Sequence, residues 1–279
     1  SLESGSVQFE TRVMDSMSPG GISAVIRPYV AQNATWALHP HETASNILLS
    51  LELPSGRERF RIGAHRHYLE LMAICEEQNI GVTVTNPIEL GESELFWWSL
   101  DNGLILGRAD QVPQGDSFQS ISALAVCIQG GEVFSGTNLG AVYVIDKVTG
   151  TFKLVCEASS CRITRLAVSP DGRTIAAGDE AGRVIVFSMA TGLTEFVLKP
   201  HRSKVTALLF FPNAHYLLSA GEDSAVKIIS VAAAQEMSTY LARHPVESVV
   251  PCFSQLSLAV NAHGVELVRI TGFGELFRP

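Results

Sequence analysis

His201, Ser219 and Asp223 are the residues whose types most directly suggest chemistry. A histidine base, a hydroxyl nucleophile and an orienting carboxylate are the components of a serine hydrolase. The serine stands in Leu218-Ser219-Ala220-Gly221 and lacks the Gly-x-Ser-x-Gly elbow that exposes a hydrolase nucleophile. Four histidines form two i, i+2 pairs, His39/His41 and His65/His67. Alternate residues of a strand share a face, so each pair could offer two imidazoles to a metal ion, but Pro40 interrupts the first pair. Gly130-Gly131 and Gly178–Gly182 lack the Gly-Lys-Ser/Thr ending of a phosphate-binding loop. Cys75, Cys127, Cys156, Cys161 and Cys252 contain no Cys-x-x-Cys, and the nearest pair, Cys156 and Cys161, has no second pair to complete a zinc site. An odd, scattered set reads as free thiols in a reducing compartment. No catalytic residue, metal site or cofactor is expected from these patterns.

Composition narrows the function classes further. Of 279 residues, 46% are hydrophobic and 17% charged, which is enough apolar material for a large core. The net charge of -8 argues against a surface dominated by nucleic-acid phosphates, which needs clustered Lys and Arg. No run of 18 apolar residues occurs, so no membrane-spanning helix is expected. Ser1–Ser6 lacks the basic and apolar regions of a signal peptide and has no initiator Met, which reads as a fragment or a processed chain.

The elements that must position these residues are set by a repeat. Ile121-Ser-Ala-Leu-Ala-Val126 recurs as Ile163-Thr-Arg-Leu-Ala-Val168 and as Val205-Thr-Ala-Leu-Leu-Phe210, 42 residues apart each time. A second anchor keeps the same period, with valines at 142, 184 and 226 that open short β-branched or aromatic runs. Ser169-Pro-Asp-Gly172 and Phe211-Pro-Asn-Ala214 supply turn chemistry between the first and second runs. Each unit therefore reads as four short antiparallel strands in about 40 residues, the size of a propeller blade.

These units resemble WD40 repeats, most strongly over residues 121–245. His201-Arg-Ser-Lys-Val205 is similar to the opening of that repeat, Ser169–Gly172 to its Pro-Asp-Gly turn, and Asp223 with Val226 to its third element. The Trp-Asp ending is eroded to Ile145-Asp146, Phe187-Ser188 and Ile229-Ser230. Upstream, Gly63-Ala-His65 precedes an apolar run at the same spacing, and Trp98-Ser99 takes the Trp-Asp position. The resemblance implies one all-β, WD40-like β-propeller domain over 1–279, with six countable four-stranded blades near 22–62, 69–108, 121–157, 163–199, 205–243 and 246–279. Its first unit would use Ile22–Ile26, Thr35–Leu38, Ile47–Leu51 and Arg59–Ile62. Val7–Val13 is left to close the ring. Seven blades are common in the resembled family, so the count of seven stays open.

The resemblance also reassigns the residues that suggest chemistry. In such repeats a His before the first strand, a Ser or Thr in the second and an Asp in the next turn form a buried hydrogen-bond network, which implies this role for His65, His201, Ser219 and Asp223. The innermost strands read Leu-Ala-Val, Leu-Leu-Phe and Leu-Met-Ala, and do not supply the convergent charges of a central-channel site. The Arg-Arg string of lipid-binding propellers is absent from the sequence. Phe96-Trp97-Trp98 reads as core packed between blades. Residues before each first strand (Arg66, His67, Arg162, Arg202, Lys204) and in the second-to-third turns (Asn138, Glu180) would lie at one end of the ring. The expected function is a non-enzymatic scaffold, a subunit of a multiprotein complex in the cytoplasm or nucleus. Its expected partners are other proteins, including an acidic or phosphorylated segment. The alternatives are an RNA-associated subunit of a ribonucleoprotein and a propeller with a small-ligand or catalytic channel site.

Overall fold

A computed structural model of the chain describes residues 29–31, 33–40, 46–63, 65–85, 93–109, 119–252, 257–261 and 265–269. The described residues are all β, with 23 strands and no helix. The first sheet is β1–β4 (Tyr29–Val30, Trp36–Pro40, Leu48–Glu52, Glu58–Ile62) and the second β5–β8 (Leu69–Cys75, Ile80–Thr85, Glu94–Ser99, Ile105–Ala109). The third is β9–β12 (Ile121–Val126, Val133–Thr137, Ala141–Ile145, Phe152–Glu157) and the fourth β13–β16 (Ile163–Val168, Thr174–Asp179, Val184–Ser188, Thr194–Leu198). The fifth is β17–β20 (Val205–Phe210, Tyr216–Gly221, Ala225–Ser230, Gln235–Leu241), and three strands, β21–β23 (Ser248–Cys252, Ser257–Asn261, Val265–Arg269), form the sixth. All are antiparallel meanders in chain order. Val7–Val13 and Ile22–Ile26 lie outside the described residues, and the innermost described strand of the first sheet is the short β1.

The sheets pack face to face. The first strands β5, β9, β13, β17 and β21 neighbour one another in chain order. One core cluster joins Leu38, Leu48 and Ile62 of the first sheet to Leu69 and Trp98 of the second. Others join Val82 and Trp97 to Val133 and Ile145, then Phe134 and Val142 to Ile175 and Phe187. Further along, Val184 and Val186 meet Val205 and Leu217, and Leu218 and Val226 meet Val246 and Val249. This arrangement is consistent with a propeller; among the described residues no cluster joins the sixth sheet back to the first.

Local sequence explains the burial. Second and third strands are sandwiched on both sides, so Val82, Val84, Ile175, Val184 and Phe187 are buried and read as near-continuous apolar runs. Fourth strands are outer edges, and β20 alternates poorly and stays exposed. Each pairing of a third with a fourth strand has a register shift, which bends the edge and discourages further pairing. The Phe96-Trp97-Trp98 tract fills two interfaces at once. Trp98 packs toward the first sheet and Trp97 toward the third, and both are buried. Each ring lies over a glycine: a Cβ at Gly81 would sit 2.3 Å from the Trp98 ring, and one at Gly107 equally close to Trp97.

Hydroxyls fasten adjacent first strands. Ser122 Oγ donates to Ile163 O (2.6 Å) of the next sheet, and Thr164 Oγ1 donates to Val205 O (2.7 Å). Thr206, at the same position of the fifth sheet, has a buried hydroxyl with no partner among the described residues. Deleting a buried hydrogen bond strands its acceptor, whereas deleting an unsatisfied hydroxyl removes a desolvation penalty. Thr164→Val is therefore expected to destabilise by about 1–3 kcal/mol, and Thr206→Val to be neutral or stabilising. Urea denaturation of both variants checks this; equal losses would refute the assignment.

Candidate functional site

The loops before first strands and the second-to-third turns lie at one end of the sheets, because antiparallel meanders return alternate connections to the same end. Backbone bonds hold this end together in three successive sheets: Asn138 N donates to Ser120 O, Glu180 N to Arg162 O and Glu222 N to Lys204 O. The polar network is built on this frame.

In the fifth sheet His201 lies between two partners. Its Nδ1 is 2.9 Å from Asp223 Oδ1 and its Nε2 is 2.8 Å from Ser219 Oγ. The connectivity matches a hydrolase triad, but Ser219 and His201 are 0% and 1% exposed, so no acyl substrate can reach the hydroxyl. Asp223 also accepts the Arg202 N–H through Oδ2 (2.9 Å). The arrangement ties the entering loop to the second strand and the following turn. Ile229, at the position where the resembled repeat has Trp, is buried and apolar. Burial lowers the His201 pKa, against the pull of Asp223. Burial would raise the Asp223 carboxyl, but hydrogen bonds from Arg202 N, His201 and Ala225 N outweigh it and hold the pKa low.

The second sheet carries a variant. His65 Nε2 is 2.7 Å from Thr83 Oγ1, while His65 Nδ1 is buried without a partner among the described residues. Glu94, on β7, takes the capping role of Asp223 and accepts the Arg66 N–H (2.9 Å). His65 stands edge-on to Phe96, with ring centroids 4.8 Å apart. Burial drives its pKa down to about 4, against the nearby Glu94 charge.

Sequence reading missed two more sets. In the third sheet Gln119 Nε2 donates to Thr137 Oγ1 (3.0 Å), and Tyr143 OH donates to Gln119 Oε1 (3.4 Å). In the fourth, Ser159 Oγ donates to buried Asp179 Oδ2 (2.8 Å), which Arg183 Nε also reaches (2.7 Å). The residue types change at each copy, which hides the pattern. Its signal is spacing, because His65–Thr83, Gln119–Thr137 and His201–Ser219 are all 18 residues apart.

The surface residues expected at this end differ in how free they are. Arg66 is well exposed, with its side chain 3.6 Å from Glu94. Arg162 lies 3.9 Å from Glu70, reaching from the fourth sheet to the second, and Lys204 lies 3.6 Å from Glu222. Asn138 is a clamp, with Oδ1 accepting the Ser120 N–H (2.8 Å). His67, Glu180 and the Arg202 side chain are exposed. Tyr68, 57% exposed, and Leu139, 45% exposed, add apolar surface beside them. On the first strands Arg165 Nε donates to Thr206 O (2.7 Å) and its Nη1 to Thr164 O (2.6 Å), so this charge spans two sheets.

Among the described residues no group of three or more His, Cys, Asp and Glu could hold a metal ion, and His41 lies outside them. Cys75, Cys127, Cys156 and Cys161 are free thiols. No helix among the described residues is long and apolar enough to cross a membrane.

The buried histidines give a pH signature. Both folded-state pKa values lie below the unfolded value of about 6.5, so the unfolded chain binds more protons and stability falls as pH drops below it. For His65 the loss runs from about 6.5 down to about 4. Asp223, also lowered, adds a further loss only below the ordinary carboxylate range. Tm measured from pH 7 to 4.5 is expected to fall, and His65→Gln to lower Tm at pH 7 while flattening that fall. An unchanged slope in the variant would remove His65 as a cause.

Comparison with known proteins agrees with this architecture. The family model described as WD domain, G-beta repeat matches residues 150–188 and 192–230. No curated protein matches the chain. Repeats of this family suggest a protein-interaction scaffold. The chain thus carries WD40 repeats at 150–188 and 192–230, within four-stranded antiparallel sheets consistent with a WD40 propeller.

Proposed function

We propose that the chain is a non-enzymatic subunit of a multiprotein complex in the cytoplasm or nucleus, and that it binds partners through the end carrying Arg66, His67, Asn138, Arg162, Glu180, Arg202 and Lys204. One observation carries this reading. His201 and Ser219 are buried, Asp223 is half-buried, and all three are spent on holding loops to strands, while the loops at this end present Arg66, Tyr68, Leu139 and Arg202 outward. Exposed aromatic and arginine side chains on a fixed frame are the typical anchors of protein interfaces. Free thiols are compatible with a reducing compartment.

The ion pairs refine the partner. Glu94, Glu70 and Glu222 sit beside Arg66, Arg162 and Lys204, so an acidic or phosphorylated segment must compete with carboxylates already in place. Arg202 and His67 meet it without such competition, and attraction there weakens with salt. The compensated pattern also lacks the bare run of cations that RNA phosphates require.

Affinity purification from the native cell, followed by mass spectrometry, tests this reading. The expected result is a stable set of protein partners, lost when Arg66, Arg162 and Arg202 are all changed to Glu while Tm is unchanged. Retention of every partner by that variant, RNA as the only co-purifying species, or turnover of a substrate by the purified chain would each overturn it.

A further inference from the structure

The opposite end of the sheets is built from first-to-second and third-to-fourth turns. There side chains sew neighbouring sheets together. Gln78 Nε2 donates to Ile128 O (2.7 Å) of the next sheet, and Gln129 Nε2 donates to Pro170 O (2.9 Å) of the one after. Among the described residues, the fourth sheet does not continue this series. Its turn carries Asp171, whose Oδ1 is occupied locally by Ser169 Oγ (2.6 Å) and Arg173 N (3.1 Å). A cleft of about 630 Å³ opens here, between this turn and the third-to-fourth turn of the same sheet. Asp171, Arg173, Met189 and Glu195 are among the residues that line it. The cleft is shallow and open to solvent, so it suits a segment of a larger partner and not an enclosed small molecule.

Charged side chains at this end are mostly taken up within the chain. Asn79 Nδ2 donates to Asp101 Oδ2 (2.7 Å) and Lys147 Nζ to Gly130 O (3.4 Å). Among the described residues, Glu195 and the Arg173 guanidinium have no such partner, and the second oxygen of Asp171 is open. The same turn exposes Leu193 (70%), and the corresponding turn of the third sheet exposes Val148 (94%).

We propose that this cleft is a second docking site, for a segment of a protein partner that carries a basic residue next to an apolar one. Two carboxylates against one guanidinium give the cleft a net negative charge, which selects a basic segment over an acidic one. The Lys or Arg head meets Asp171 and Glu195, and the apolar side chain covers Leu193 and Met189. The cleft faces away from the end with Arg66 and Arg202, so one chain can hold two partners of opposite charge. This goes beyond the proposed function and does not depend on it.

Fluorescence anisotropy with a labelled Gly-Arg-Leu-Arg-Gly peptide tests the site, with Gly-Glu-Leu-Glu-Gly as the comparison. The basic peptide is expected to bind at low salt and the acidic one not. The Asp171→Asn, Glu195→Gln double variant is expected to weaken binding by about tenfold, the scale of two partly exposed ion pairs. A Glu52→Gln, Glu157→Gln double variant removes the same net charge elsewhere and is expected to leave binding unchanged. Equal weakening by both double variants, equal binding of both peptides, or no binding of the basic peptide would overturn the proposal. The Arg66, Arg162, Arg202 charge reversal leaves this binding intact, so the two sites can fail separately.

Discussion

Face-to-face packing of small sheets is the constraint on which the rest of this structure depends. A four-stranded antiparallel meander of about 40 residues cannot bury two apolar faces by itself. Here consecutive sheets cover one another, and five core clusters run across the interfaces between them. The requirement explains why second and third strands are apolar on both faces while fourth strands are polar and bulged. It also explains the paired tryptophans. Trp97 and Trp98 are adjacent in sequence, so they point to opposite faces and serve two interfaces.

Polar groups fit around that packing. Where first strands approach each other their edge carbonyls need donors, and Ser122, Thr164 and Arg165 supply them from neighbouring sheets. At the loop end the same need is met four different ways. His201 with Ser219 and Asp223, His65 with Thr83, Gln119 with Thr137, and Ser159 with Asp179 all anchor an entering loop to a second strand or its end. Geometry is kept while the side chains vary, because several donor–acceptor pairs can make the same loop-to-strand hydrogen bond. A set that resembles a catalytic triad is thus a brace. Its burial gives the histidines their low pKa values and also removes them from reach of any substrate.

Rigid sheets leave the two ends as the surfaces free to vary. One end is a mosaic of compensated charges with exposed Tyr68 and Leu139 among them. The other is sewn shut by Gln78 and Gln129, until Asp171 replaces the glutamine and a cleft appears. In both places a change of one side chain in a repeated position makes a surface feature.

The sequence by itself determined the fold class. The period of 42 residues in the first strands and in Val142, Val184 and Val226 reflects local strand and turn chemistry repeated in register, and such patterns survive in one dimension. The resemblance to WD40 repeats also implied a shared structural role for His65, His201, Ser219 and Asp223. Tertiary structure decided what depends on partners distant in sequence. Glu94 stands in for Asp223 from a different strand, Glu70 meets Arg162 across an intervening sheet, and Arg165 places a charge between two first strands by reaching the Thr206 carbonyl. A basic residue reads the same in sequence whether it is bare or paired. Only the packing of one sheet against the next sets the distance to its carboxylate, and so the charge that a partner meets.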